Sequence, residues 1–172
     1  LLADPMGLLL ILMPSDKPDA TLTATLNRLT TASPGSVWLG AAMPHRGRDR
    51  VRLRALKATA DQHHLPLIAL NDVLYHTPER RKVQDVLSCI REHATIDTIG
   101  RKLEAHAERH LKPATEMARL FADVPDALHQ TQAFLDRITF TLDQLKYDYP
   151  DEPVPPGYSP QAWLEQDRKS VV

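Results

Sequence analysis

The sequence predicts an α/β region built on parallel strands, followed by an all-helical region and an extended proline-rich end. Three observations predict it. Three short apolar runs are continuous rather than alternating, as strands buried on both faces are. Helical patterns lie between them, the arrangement of βαβ units. From Pro78 to Ile138 only helical spacing recurs, with no further strand pattern.

The first strand is expected over about Gly7–Met13, ending at Pro14. A helix opened by Asp16 or Asp19 follows, with Leu22, Leu26 and Leu29 on one face. Ser33-Pro34-Gly35 is a stop and turn, and Val37-Trp38-Leu39 is the second strand. After a Pro44–Gly47 loop, Arg48–His64 reads as a helix with Leu53, Leu56 and Ala60 inward and Val51, Ala55 and Ala58 beside them. Leu65–Leu70 is the third strand, with Pro66 at its start because proline has no N–H to give a ladder. Groups that do chemistry collect at the carboxyl ends of parallel strands, so Asn71-Asp72-Val73-Leu74-Tyr75-His76 is where a site is sought.

Beyond Thr77 the pattern changes. Val83, Val86, Leu87 and Ile90 form an amphipathic helix beginning near Pro78, and Thr95–Gly100 is a break. Met117, Leu120, Phe121 and Val124 mark another helix. Pro125 opens a further one, with Leu128, Thr131, Leu135 and Ile138 on its face. Five prolines and a glycine in the eleven residues from Pro150 to Pro160 make an extended linker, followed by a short helix at Gln161–Glu165. The expected division is therefore 1–77, 78–149 and 150–172.

Composition narrows the function. The 172 residues are 42% hydrophobic and 25% charged, which excludes collagen, a coiled-coil rod and an acidic disordered chain. A net charge of -1 gives no overall field for nucleic acid or membrane. One cysteine, Cys89, excludes an internal disulfide framework and fits a reducing compartment. Aromatics at 5% argue against an aromatic-cored β-sandwich. The run Met6–Met13 is shorter than the ~20 residues that span a bilayer, and lacks the flanks of a signal peptide. Residue 1 is Leu, directly ahead of a buried strand, and three strands make too small a sheet. A larger protein with more strands ahead of Leu1 is expected, and the chain alone should expose apolar surface at an unpaired edge.

Four constellations carry possible chemistry. Asp72 and His76, a carboxylate and an imidazole past a buried strand, suit a divalent metal or an acid–base pair. By spacing alone, a capping Asp72 and a surface His76 is the better reading. His106 and His110 would share a face if their segment were helical. No third ligand lies near, so solvated histidines are expected. Cys89 beside Ile90 reads as a small buried hydrophobe. Arg46, Arg48, Arg50, Arg52, Arg54 and Lys57 fall within twelve residues. Phosphate contact and a solvated outer helix both remain open for them. No glycine-rich phosphate loop, Walker sequence, nucleophile elbow or C-x-x-C pair is present.

Several strings, in order, resemble one family. Leu65–His76 is similar to the last strand and loop of the PHP domain in bacterial C-family DNA polymerases, and Gln84–Glu92 follows at the expected distance. Ala107–Pro113, Glu116–Phe121 and Leu145–Gly157 complete the series. The Asn-Asp-Val-Leu-Tyr-His and Tyr-Pro-Asp-Glu-Pro strings resemble the error-prone branch rather than the replicative alpha subunit. The likeness covers about Gly7–Glu165, whereas Gln166–Val172 matches nothing in the family.

The resemblance implies a piece of a DNA-directed DNA polymerase that copies damaged templates. Residues 1–77 would be the last part of a PHP-type (β/α) barrel and 78–149 the passage into the polymerase core. It implies Mg2+ for the parent enzyme and no cofactor held firmly by this piece. Implied partners are DNA, deoxynucleotides and accessory translesion and clamp proteins, in the cytoplasm and away from membranes. Catalytic aspartates and the first His-x-His motif would lie outside this chain. PHP domains with an intact metal site end in Asp-x-His; here Asp72 is kept but Leu74 stands two residues on, and leucine ligates no metal. A weakened metal site of Asp72 and His76 is expected, without a proofreading nuclease. Arg80, Arg81, Lys82 and Lys112 are the residues expected from charge to touch nucleic acid. The rival functions are a PHP-type metal-dependent phosphoesterase and a non-catalytic scaffold.

Overall fold

The computed structural model describes residues 7–15, 20–146 and 154–170. Asp16, Asp19 and the start of the proline-rich stretch lie outside the described residues. The chain divides into two compact units, 1–138 and 139–172.

The first unit is built on three parallel strands in the order β1-β2-β3: β1 (Leu10–Leu12), β2 (Val37–Ala42) and β3 (Leu67–Leu70). Leu10 pairs with Val37, Leu39 with Leu67 and Ala41 with Ala69. Pro66 sits just ahead of β3, where its carbonyl accepts from Leu39 N at 3.0 Å and its missing N–H costs nothing. All six residues of β2 are buried, as the central strand of such a sheet requires.

Helix α1 (Ala20–Ala32) joins β1 to β2, and α2 (Asp49–Gln62) joins β2 to β3. Both return over the same face. Successive side chains of a strand point to opposite faces, so Leu39 and Ala41 share a face with Leu67 and Ala69. Leu22 and Leu26 of α1 and Leu53, Leu56 and Ala60 of α2 all join that one cluster. Consecutive strand order with the crossover helices on one side means that the sheet winds in a single direction.

The helical stretch does not stand apart from the sheet. A 3-10 turn at Pro78–Arg80 leads into α3 (Arg81–Arg91), and α4 (Ala114–Leu120) and α5 (Asp126–Asp136) follow. Phe121, Val124 and Ala127 join the cluster under β2 and β3. Thr131 of α5 donates its hydroxyl to the Ala69 carbonyl at 3.3 Å. Trp38 Nε1 donates to Gln130 Oε1 at 3.1 Å, its ring meets Phe134 edge-on at 5.0 Å, and Arg137 lies over it.

The predicted stripe of α3 is helical but not buried. Val83, Val86, Leu87 and Ile90 are all more than half exposed, and the buried residues of this helix are Ser88 and Cys89. Periodicity placed the apolar face correctly, and nothing among the described residues covers it. At α5, Leu135 and Ile138 are likewise exposed, while Ala127 carries the buried contact.

The second unit holds a 3-10 turn at Leu142–Gln144, closed by a reciprocal Thr141–Gln144 capping box, and α6 (Pro160–Ser170). Tyr158 and Trp163 meet edge-to-face at 5.7 Å. No helix among the described residues is long and apolar enough to cross a membrane.

Candidate functional site

Beyond Leu70 the chain turns through Asn71–His76 with Asp72 at a φ of 50°, a left-handed conformation that aspartate tolerates better than most residues. A second segment is laid against this turn. Asn71 Nδ2 donates to His110 O at 3.0 Å. Leu74 N and Tyr75 N both donate to Arg109 O, at 2.9 and 3.3 Å, and Leu111 N donates to Tyr75 O at 3.2 Å. Tyr75 and His110 form a parallel bridge. Tyr75 is buried and its hydroxyl donates to His106 O at 3.4 Å. Burial pushes its phenol upward, against the pull of the Arg81 charge, so the donor keeps its proton.

Charge closes the same junction. Arg109 Nε donates to the Asp72 carbonyl at 3.0 Å and one guanidinium nitrogen meets Asp72 Oδ1 at 2.8 Å. Its other guanidinium nitrogen meets Glu104 Oε1 at 2.6 Å. Burial works against the Arg109 charge, but the Glu104 hydrogen bond and the Asp72 carboxylate outweigh it and raise the guanidinium above its ordinary value. Arg81 adds a bond to Glu104 O at 2.5 Å.

The two residues expected to hold a metal have different surroundings. Asp72 faces Arg109, while His76 is exposed along a shallow groove of about 270 Å3 beside Leu74, Arg80 and Val83. No group of three or more His, Cys, Asp or Glu among the described residues is placed to hold a metal ion. The one carboxylate of the loop is already engaged by a guanidinium and Leu74 offers no donor atom, so these side chains as placed do not make a divalent-ion site. Of the four cations expected at nucleic acid, Arg80 and Lys82 face solvent. Arg81 is held by Glu104 and lies 3.5 Å from Asp85, and Lys112 is 3% exposed with its ammonium on the Glu108 carbonyl and carboxylate.

Comparison with known proteins carries the family resemblance across nearly the whole chain. It is 59% identical over 160 residues to an error-prone DNA polymerase of Rhodopseudomonas palustris (strain BisB5), covering 92% of this chain. It is 56% identical over 160 residues to that of Bradyrhizobium sp. (strain ORS 278), again over 92% of this chain. It is 52% identical over 151 residues, or 88% of this chain, to that of Brucella abortus biovar 1 (strain 9-941). The chain is homologous to a segment of the error-prone DNA polymerases. It spans about 14% of the length of each of these three relatives. No protein-family model matches it.

Several residues of the remaining constellations have structural partners. Arg52 donates to Ala42 O at 3.2 Å and Pro14 O at 3.3 Å, tying the ends of β2 and β1. Arg54 pairs with Asp123 at 3.4 Å, and Lys57 with Asp61 one turn on. Arg48 and Arg50 are exposed. His106 and His110 do not lie on a helix, so the shared face fails: His110 Nδ1 is 2.9 Å from Ala107 O, and the His106 ring meets His45 edge-on at 6.1 Å. Cys89 is buried, as expected. Sequence reasoning missed Arg109 and Glu104. Their only sequence signal is a lone carboxylate at the loop, Asp72, that needs a cationic partner.

Proposed function

We propose that the chain is part of a DNA-directed DNA polymerase of the C family that carries out error-prone synthesis across damaged templates. The observation that carries this is identity of 59% over 92% of the chain to a protein named error-prone DNA polymerase. In this reading the segment is scaffold. Residues 1–77 form the end of a PHP-type barrel, 78–149 lead into the polymerase core, and 150–172 are linker and tail. The single winding direction of the sheet is what a barrel requires, and one half of a doubly wound sheet shares it, so the barrel in this reading rests on the family resemblance.

Phosphoryl transfer would be carried out elsewhere in the parent, by two metal ions, Mg2+ in this reading, that clamp the attacking and leaving oxygens. Its substrates would be DNA and deoxynucleotides, its setting the cytoplasm, and its partners accessory translesion and clamp proteins. Within this segment Arg80 and Lys82 are the exposed cations nearest the β3 loop by sequence, and are proposed to meet the DNA backbone. A metal-dependent phosphoesterase built on Asp72 and His76 has less support, since Asp72 is already engaged by Arg109.

The test is primer extension by the polypeptide encoded by the whole reading frame. Extension on an undamaged template and bypass of an abasic site, both dependent on Mg2+, are the expected results. Hydrolysis of phosphate monoesters without any extension would overturn the reading.

A further inference from the structure

The β3 loop is closed by a cation that belongs to the protein. Arg109 reaches across 37 residues of sequence to hold Asp72 through both its carbonyl, at 3.0 Å, and its carboxylate, at 2.8 Å. The same guanidinium holds Glu104 at 2.6 Å. The backbone of Arg109 also accepts from Leu74 and Tyr75. The guanidinium therefore gathers two carboxylates and one loop carbonyl, the kind of oxygen ligands a divalent ion takes, while the Arg109 carbonyl separately holds two loop amides. The Arg109 and Glu104 side chains are 23% and 27% exposed and that of Asp72 43%, so the Glu104 bond is the better shielded from water and the Asp72 bonds lie at the surface.

We propose that Arg109 is a fixed internal cation that takes the place of a divalent metal at Asp72 and makes the fold of the β3 loop independent of metal. The proposal rests on the reading of this loop as a degenerate PHP metal loop. Lysine should not replace arginine, because a single ammonium cannot present the planar fork that meets Asp72 and Glu104 together. Arg109 acts here as a positioning residue: it sets the path of Asn71–His76 and exposes His76 beside Arg80.

Amide exchange over residues 71–76, followed by mass spectrometry on the full-length polypeptide, tests this. With wild type, exchange is expected to be the same with and without a chelator. Arg109→Met is expected to exchange about tenfold faster in this stretch, and Arg109→Lys to recover less than half of the protection. Added zinc or manganese should restore neither variant. Chelator-induced exchange in wild type, with one equivalent of metal lost on Asp72→Ala, would overturn the proposal, as would Arg109→Met with wild-type exchange. A wild-type protein that passes these tests but extends no primer would sink the polymerase reading and leave the role of Arg109 standing.

Discussion

Phe121→Ala is expected to cost about 3–5 kcal/mol, the range for truncating a buried phenylalanine. Phe121 is 0% exposed and is the largest fully buried side chain among the described residues. It lies just past α4, yet its neighbours in the core come from α1, α2, β2 and β3. Its loss should therefore loosen sheet and helices together. Urea unfolding followed by circular dichroism reports the helices, and fluorescence of Trp38, 3% exposed in β2, reports the sheet. Trp163→Phe removes the other tryptophan, which lies in the second unit. Both signals are expected to move to lower urea by the same amount. A mutant whose helical signal shifts while the Trp38 signal stays put would show that the helical stretch is a separate cooperative unit.

The second effect is expected at Gly40, in the middle of β2. A Cβ there would stand 2.6 Å from Met13 Sδ, 2.8 Å from Leu70 Cδ1 and 3.1 Å from Ile11 Cγ2. These side chains from β3 and from in and just past β1 close over the glycine, so the three strands meet where one of them has no side chain. Gly40→Val is expected to destabilise by about 1 kcal/mol, the low end for overpacking, because the atoms in the way are side-chain ends and Met13 is 44% exposed. Met13→Ala removes the nearest obstacle, and the double variant should recover part of that loss. Denaturant midpoints of the four proteins in the cycle give the coupling. Strict additivity would mean that Met13 does not pack over Gly40.

What the sequence made legible follows from what each signal depends on. The second and third apolar runs are buried almost throughout, and composition alone marked them as parallel strands; the first, expected to be buried too, is only partly so, because β1 has a strand partner on one side only among the described residues. Their ends depend on pairing instead. The first run shrinks from Gly7–Met13 to Leu10–Leu12 because its partners in β2 are Val37–Leu39. The second grows from Val37–Leu39 to Ala42, since Gly40, Ala41 and Ala42 have weak strand propensity but find partners in β3. Periodicity located α3 and its apolar stripe but could not say what covers them, because a stripe is a local pattern and burial is not. The Arg109 clamp was illegible for the same reason: it joins residues 37 apart by way of a loop with no repeat. The Asp72-x-Leu74 departure was legible, and the structure supplies its counterpart in a guanidinium on Asp72.

Central to the proposed reading is that this sheet continues past β1 in a longer chain. Leu10 N donates to Ser36 O at 2.8 Å, so it faces β2. By the alternation of a strand, Ile11 N–H points to the other edge. The most direct measurement is hydrogen exchange of the Ile11 amide, resolved by NMR, in the 172-residue chain and in a longer polypeptide that carries the preceding sequence. Exchange at Ile11 slowed about a hundredfold in the longer protein, with Leu10 protected in both, is the predicted result. Ile11 exchanging at the same fast rate in both would contradict a sheet that continues through β1.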